Sequence, residues 1–193
     1  MNLFFLLVGL WLFIGAHAEH LAFPRWRARF IATRGEKAWK LFVSVRSLIG
    51  LVLIVYGFGQ SRVDPVLLWD PPLWTRHVAL VLTLIAFVLF AASKGPPNLI
   101  KHKIGHPMYA GVKVWALAHL LANGRLGDVI LFGTLLIWAV AGFAISRRRD
   151  RRAGVTYPAG LARNTLVAVV LGCAMWALFA FWLHRVLIGV PAI

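Results

Sequence analysis

Six stretches of this chain are dominated by apolar residues, and polar or basic residues separate them. Each stretch has the length of a membrane-crossing helix or falls slightly short of it, because about 20 apolar residues span a bilayer. The pattern therefore predicts an all-α, polytopic membrane helix bundle of about six transmembrane helices. The stretches run over approximately 3–17, 41–58, 77–92, 108–122, 129–146 and 166–187.

Prolines and glycines mark the connections between these predicted helices. Asp-Pro steps within residues 62–72 break the chain between the second and third stretches, and a Gly-Pro-Pro sequence at 95–97 stops the third. Residues 99–104 are predicted to form a short interfacial segment, after which Pro107 begins the next helix. The connections are short and there is no internal repeat, so we predict a single transmembrane domain over 1–193.

Composition agrees with a membrane location and gives the helices an orientation. The chain is 61% hydrophobic with a mean hydropathy of +0.79, which leaves too little polar surface for a water-soluble domain of 193 residues. Fifteen of its 21 basic residues lie in three alternate connections, after the first, third and fifth stretches. The positive-inside rule then predicts cytoplasmic basic connections and both termini outside. The net charge of +15 is accordingly assigned to topology and the lipid bilayer, not to nucleic acid.

The last of these basic connections contains the sequence RRRDRR at 147–152. We predict that it is a solvated loop that sets topology and touches anionic lipid.

Four histidines lie within or at the ends of the apolar stretches, at His17, His106, His119 and His184. Neutral imidazole readily ligates haem iron or zinc and is tolerable in a membrane. Lys113 shares the fourth stretch, where a charge at the bilayer centre costs roughly 2.5–3.5 kcal/mol. These polar groups predict either a cofactor site or hydrogen bonds between helices, and the residues alone leave both interpretations open.

The histidines of the fourth stretch face different neighbours. His106 and His119 are thirteen residues apart, which turns them about 140° from each other on a straight helix, so one small ion could not bind both. Lys113 falls near the face of His106, whereas Trp115 precedes His119 by one turn. His77 and His184 are predicted to be interfacial residues.

Three sequence elements make the chain recognisable as a member of a known family. They are the segment from Gly15 to His20, the His106-Pro107-Met108 turn and the string WALAHLLANG at 115–124. Together they resemble the NnrU family of integral membrane proteins over essentially the whole chain. The resemblance implies a multi-pass protein of the bacterial inner membrane, associated with nitrite and nitric oxide metabolism. It also implies a relationship to zeta-carotene isomerase, a plant membrane enzyme that contains a b-type haem.

The resemblance implies haem b as the cofactor and His17 with His119 as its ligands. Lys113 or an interfacial arginine would neutralise a propionate. Two ligands of one iron must lie at nearly the same depth. His17 lies near the cytoplasmic end of its predicted helix, whereas His119 lies about 20 Å along the fourth helix from His106. His106 is therefore kept as the substitute partner of His17, and the choice stays open.

On this basis the expected function is that of a redox- or nitric oxide-responsive factor, or of a haem-dependent isomerase-like enzyme acting on a lipid-soluble substrate. One alternative is a cofactor-free membrane scaffold or assembly factor. Another is a degenerate S-adenosylmethionine-dependent methyltransferase, because the turn at 106–111 also resembles an element of isoprenylcysteine carboxyl methyltransferase. The acidic pair of those enzymes is missing, since the acids after His119 are Asp128 and Asp150.

Overall fold

The computed structural model describes residues 3–192, apart from the side chains of residues 20 and 21. No β-strand forms among these residues, and an isolated antiparallel bridge joins Leu67 to Arg125. Each predicted apolar stretch lies within helical structure, which confirms the all-α prediction. The elements are α1 (Phe4–Ala22), α2 (Pro24–Ser61), α3 (Leu73–Lys94), α4 (Leu99–Ile104), α5 (Pro107–Ala122), α6 (Leu126–Arg152), α7 (Ala162–Leu178), a π-helical turn (Phe179–Leu183) and α8 (His184–Ile188).

Four helical segments in the described part of the chain are long and apolar enough to cross a bilayer, which marks the chain as a membrane protein. They are Pro24–Ser61, Leu73–Lys94, Leu126–Arg152 and Ala162–Ile188. The first and fourth predicted stretches form shorter helices, with an apolar segment Phe4–Glu19 in α1 and 16 residues in α5. The count of six spans and the outside placement of both termini remain predictions.

Two basic regions differ from the sequence-based expectation. Helix α6 continues through Arg152, so the predicted loop at 147–152 is helical, and its acidic residue Asp150 is buried. The loop prediction was wrong because hydrogen-bond partners distant in sequence stabilise this last turn. Helix α2 begins at Pro24, inside the first basic connection, and is interrupted at Gly35, where φ is 83° and ψ is 161°. Only glycine adopts such a backbone conformation without strain.

The described residues form two compact units. Unit 1 contains α1, α2, the loop to Asp70 and Asn123–Trp138, and unit 2 contains Pro71–Ala122 and 139–192. Helix α6 therefore contributes its first part to unit 1 and its second part to unit 2.

Glycines bring α1 and α2 close together in unit 1. A Cβ atom at Gly9 would lie 2.6 Å from the backbone nitrogen of Ile54, and one at Gly50 would lie 2.7 Å from that of Phe13. Gly57 is similarly tight against Leu6. Small residues allow this approach, and van der Waals packing of this kind is a main source of helix association in membranes.

Unit 2 is organised around α3, which packs against both α5 and α7. Gly111 of α5 lies against the ring of Phe90, where an added Cβ would come within 2.5 Å. On the other side of α3, the indole Nε1 of Trp176 donates to Thr83 Oγ1 across 3.1 Å.

The connection from α3 to α5 is held by a buried asparagine. Asn98 is 1% exposed; its amide donates to the carbonyls of Ala92 and Pro96, and its oxygen accepts from the backbone of Lys101. This last bond caps α4, because it satisfies one of the unpaired N–H groups at the helix N-terminus. The α4 cap and Gly105, with a φ of 78°, then lead the chain to His106 at the start of α5.

Candidate functional site

His17 lies half-buried on α1 in unit 1, with its ring held by the preceding helical turn. Its Nδ1–H donates to the carbonyl oxygen of Phe13 across 2.8 Å, and the two rings are 4.4 Å apart at an interplanar angle of 34°. The edge of Trp138 approaches with a centroid separation of 6.1 Å. A carbonyl can only accept, so the neutral imidazole carries its proton on Nδ1 and its lone pair on Nε2.

His119 has the same local geometry on α5 in unit 2. Its Nδ1–H donates to the carbonyl oxygen of Trp115 across 2.8 Å, and the ring centroids lie 4.6 Å apart at 47°. The neighbours Ala116 and Ala118 are completely buried. His119 is therefore also in the tautomer whose Nε2 carries the lone pair, with an aromatic ring one turn earlier.

His184, which the sequence predicts as interfacial, lies near His119 in unit 2. It begins α8 directly after the π-helical turn, and its Nδ1–H donates to the carbonyl of Val190 across 2.7 Å. The imidazoles of His119 and His184 lie within electrostatic range of each other. Nothing in the sequence connects two residues this far apart, so their proximity could be found only from the fold.

His106 is bonded through the opposite ring nitrogen. Its Nε2 lies 2.8 Å from Asp150 Oδ2, and the hydroxyl of Tyr157 donates to the same oxygen across 2.5 Å. Arg149 Nε is 3.6 Å from the other carboxylate oxygen, and Asp150 is only 9% exposed. Sequence reasoning missed Asp150 and Tyr157. The available signal was a single acid inside a run of five arginines, which is typical of a carboxylate with a structural partner.

The hydroxyl, the ring and the backbone carbonyl of Tyr157 each have a partner in or beside this cluster. Burial, together with the hydrogen bond to Asp150, raises the pKa of the Tyr157 phenol above its ordinary value, so the hydroxyl remains a donor at neutral pH. Its ring fills the space beside Gly105, where an added Cβ would lie 2.5 Å away. Its backbone carbonyl accepts from His102 Nδ1 at 3.0 Å.

Lys113 lies on the side of α5 that carries His106, as the sequence predicts. Its ammonium is 3.8 Å from the centroid of the Phe143 ring, and the same ring meets His106 edge-on at 6.4 Å. A cation over an aromatic face recovers part of its lost hydration energy. Phe143 therefore joins the two predicted site residues His106 and Lys113 into one neighbourhood within unit 2.

Two of the described histidines hold their rings as an axial ligand of haem iron would need. In the part of the chain that is described, no group of three or more His, Cys, Asp or Glu side chains could hold a metal ion. Structural zinc requires four such ligands and catalytic zinc requires three, whereas haem iron takes one or two axial ligands from the protein. Histidines with a fixed Nδ1 proton, such as His17 and His119, therefore fit an axial role.

The comparison with protein families gives one match. A family model described as NnrU protein matches residues 5–192, which is nearly the whole chain. No curated protein and no solved structure matches. The family match confirms the resemblance suggested by the histidine-containing elements.

Proposed function

Because the chain belongs to the NnrU family, we propose that it is a membrane protein that binds a b-type haem, for which His17 in unit 1 and His119 in unit 2 each offer an axial nitrogen. The observation that carries this proposal is the shared geometry of the two histidines. In each, Nδ1 is 2.8 Å from the carbonyl oxygen four residues earlier, and the ring lies against an aromatic side chain at that position.

This geometry prepares Nε2 as an iron ligand. A metal-ligating histidine almost always donates its other N–H to a carboxylate, a carbonyl or a water, and this bond fixes the tautomer and raises the basicity of the ligating nitrogen. The backbone carbonyls of Phe13 and Trp115 make that bond. The rings of the same two residues also restrict rotation of the imidazoles and exclude water from one face.

His106 is less suited to the same role because its Nε2 is already hydrogen-bonded to Asp150. This difference supports His119 over His106 as the ligand on α5. The nearby His184 shares the Nδ1-to-carbonyl arrangement, so it is the natural competitor of His17 for the second axial position.

Lys113 would hold a propionate carboxylate. Its ammonium lies against the ring of Phe143, and the rest of its own helix, α5, is mostly apolar or small. An anionic partner there would offset more of the cost of burial than the ring alone.

When bound, the haem would supply reversible one-electron iron chemistry and a binding position for small diatomic ligands. We therefore assign the protein a redox- or nitric oxide-responsive role in nitrite and nitric oxide metabolism of the bacterial inner membrane. The family assignment and the intramembrane histidines support this role. An isomerase-like reaction on a lipid-soluble substrate remains the enzymatic form of the same proposal.

The test is the absorption spectrum of the protein purified in mild detergent from haem-supplemented cells, oxidised and then reduced with dithionite. We expect a Soret band that sharpens on reduction, with separate α and β bands. The His119→Ala variant should lose the Soret band. The second ligand is identified as His17 or His184 according to which alanine variant loses or shifts that band. His77→Ala, which changes an exposed histidine, is the matched control. A stable, colourless wild-type protein would instead support a cofactor-free scaffold.

Addition of nitric oxide to the reduced protein separates the two roles. A shift of the Soret band would show that one iron ligand is labile, as a nitric oxide sensor needs. An unchanged spectrum would indicate two firm ligands and favour electron transfer or redox switching.

A further inference from the structure

A cavity of about 410 Å³ lies between α1 and α2 in unit 1. Three aromatic side chains, Trp11, Phe23 and Trp26, form much of its wall, and the charged residues Glu19 and Arg46 complete it. We call it the Glu19–Arg46 cavity. The histidines of the proposed haem site do not line it, so it needs an explanation of its own.

The charged pair in this cavity is incompletely satisfied. Arg46 Nη1 donates to Glu19 Oε1. Glu19 is only 5% exposed, yet its other oxygen, Oε2, has no hydrogen-bond partner among the residues described. Leaving a buried charged acceptor unpaired costs more than the net value of an ordinary hydrogen bond. A donor supplied by a ligand would remove that cost.

Arg46 is built into the wall of the cavity. A Cβ atom at Gly15 would collide with Arg46 Nη2, so this glycine leaves the space that the guanidinium occupies. The same guanidinium lies over the rings of Trp11 and Phe42, 5.8 and 5.9 Å from their centroids. The arginine therefore presents a fixed positive group at the cavity instead of extending into water.

The surroundings of the cavity indicate a membrane interface. The side chains of Phe23 and Trp26 are 63% and 43% exposed. Both residues lie at the start of a basic segment that includes Arg25, Arg27 and Arg29. Tryptophan beside basic residues is typical of the level at which lipid head groups lie. At that level a phospholipid head group can reach the opening.

We propose that the Glu19–Arg46 cavity binds the head group of an aminophospholipid. The primary ammonium donates to Glu19 Oε2 and lies among the aromatic rings, which favour a cation. The phosphate lies beside Arg46, whose guanidinium has further N–H donors. A cavity that carries one positive and one negative group matches a head group with one of each. A phosphoglycerol head group has no cation to pair with the carboxylate.

The experiment uses the full-length protein, stripped of lipid in detergent and titrated with phosphatidylethanolamine, phosphatidylcholine or phosphatidylglycerol with identical acyl chains. Binding is read by native mass spectrometry and by the thermal unfolding midpoint. We expect phosphatidylethanolamine to bind most tightly and to raise the midpoint. Phosphatidylcholine keeps the charge but has no N–H to donate, and it should bind about tenfold more weakly, as loss of a hydrogen bond to a charged group predicts.

Glu19→Gln should remove the preference for phosphatidylethanolamine. The matched control is Glu36→Gln, because Glu36 is an exposed carboxylate on α2 paired with Lys40 at 2.9 Å, and this change should leave the preference intact. Ala18→Phe places a large side chain in the cavity and keeps both charged residues, and it should abolish binding in a protein that still elutes as a single species with its helical circular dichroism intact.

Equal or tighter binding of phosphatidylglycerol would overturn the proposal, and so would a phosphatidylethanolamine preference that survives either Glu19→Gln or Ala18→Phe. Neither readout depends on haem, so the outcome is independent of the proposed cofactor.

Discussion

The histidines within α1 and α5 and the histidine beside the last turn of α6 illustrate two uses of one side chain. His17 and His119 donate from Nδ1 to a backbone carbonyl on their own helix, which leaves the lone pair on Nε2. His106 places Nε2 against Asp150, and Tyr157 completes that cluster. The hydrogen-bond partner, not the residue type or its place in an apolar stretch, separates the candidate ligands from the structural histidine.

The difference also extends to what each bond connects. The carbonyl partners of His17 and His119 lie one turn earlier on the same helix, so these bonds orient a ring without joining distant segments. The carboxylate partner of His106 ties two chain segments together, because His106 and Asp150 lie 44 residues apart. We therefore expect changes at the two kinds of site to affect different measurements.

The largest expected effect is at His119. His119→Ala should lower haem affinity more than about 100-fold, because changes in the outer hydrogen-bond shell of a metal site alone cost 10- to 100-fold. The measurement is the Soret absorbance per mole of protein after equal haem supplementation. His106→Ala should retain the band. The comparison fails if the two variants behave alike, or if His106→Ala is the colourless one.

Asp150→Asn should show the opposite pattern. This substitution keeps the shape of the side chain but removes the negative charge to which His106 and Tyr157 are hydrogen-bonded. It should lower the free energy of unfolding by about 1–3 kcal/mol. The thermal midpoint in detergent measures this, and the haem spectrum should not change. A lost Soret band in this variant would place Asp150 within the cofactor site. Arg148→Gln, at an exposed neighbour, is the control.

Two glycine substitutions test the same difference between the helix contact that carries His17 and the His106 cluster. Gly50→Ala forces a Cβ against the backbone of Phe13 and should disturb the α1–α2 contact that carries His17. Gly105→Ala puts a Cβ into the ring of Tyr157 at a φ of 78° and should disturb the His106 cluster. Each should cost about 1–3 kcal/mol of stability. Only Gly50→Ala should also broaden or shift the haem spectrum, and the reverse result would contradict the assignment.

The smallest expected effect is at the aromatic neighbour of His119. Trp115→Leu keeps the backbone carbonyl that receives Nδ1–H and removes the ring that lies 4.6 Å away. Haem should remain bound, with a reduction potential shifted by about 20–60 mV, the equivalent of one aromatic contact for a one-electron couple. Spectroelectrochemical titration measures the shift. Loss of haem would mean that the ring, and not the carbonyl, holds His119 in place.

The helical architecture was predictable because it follows from hydrophobicity and from local breakers. Pro107 begins α5 as expected, and the short helix at 99–104 follows the Gly-Pro-Pro stop. The apolar stretches themselves did not show that Pro24 would start a helix within a basic connection, or that Gly35 would interrupt it. A run of arginines is as compatible with a helix as with a loop until its partners are known.

The candidate site was only partly predictable for a related reason. The pairing of His119 with Trp115 is set by helical spacing, which can be read directly from the chain. The partners of His106 and the neighbour of His119, His184, come from contacts over 44 to 65 positions. Periodicity carries no information about such distances. Glu19 and Arg46 meet in the same way, across 27 positions and two helices.

Rescue by free imidazole tests the central claim most directly. His119→Gly and His106→Gly are purified without haem, then titrated with haem in the presence and absence of imidazole. If His119 is a ligand, its variant should recover a low-spin spectrum only when imidazole is present, because the small molecule replaces the missing ring, whereas His106→Gly should bind haem without it. A His119→Gly protein that binds haem normally without imidazole would contradict the account.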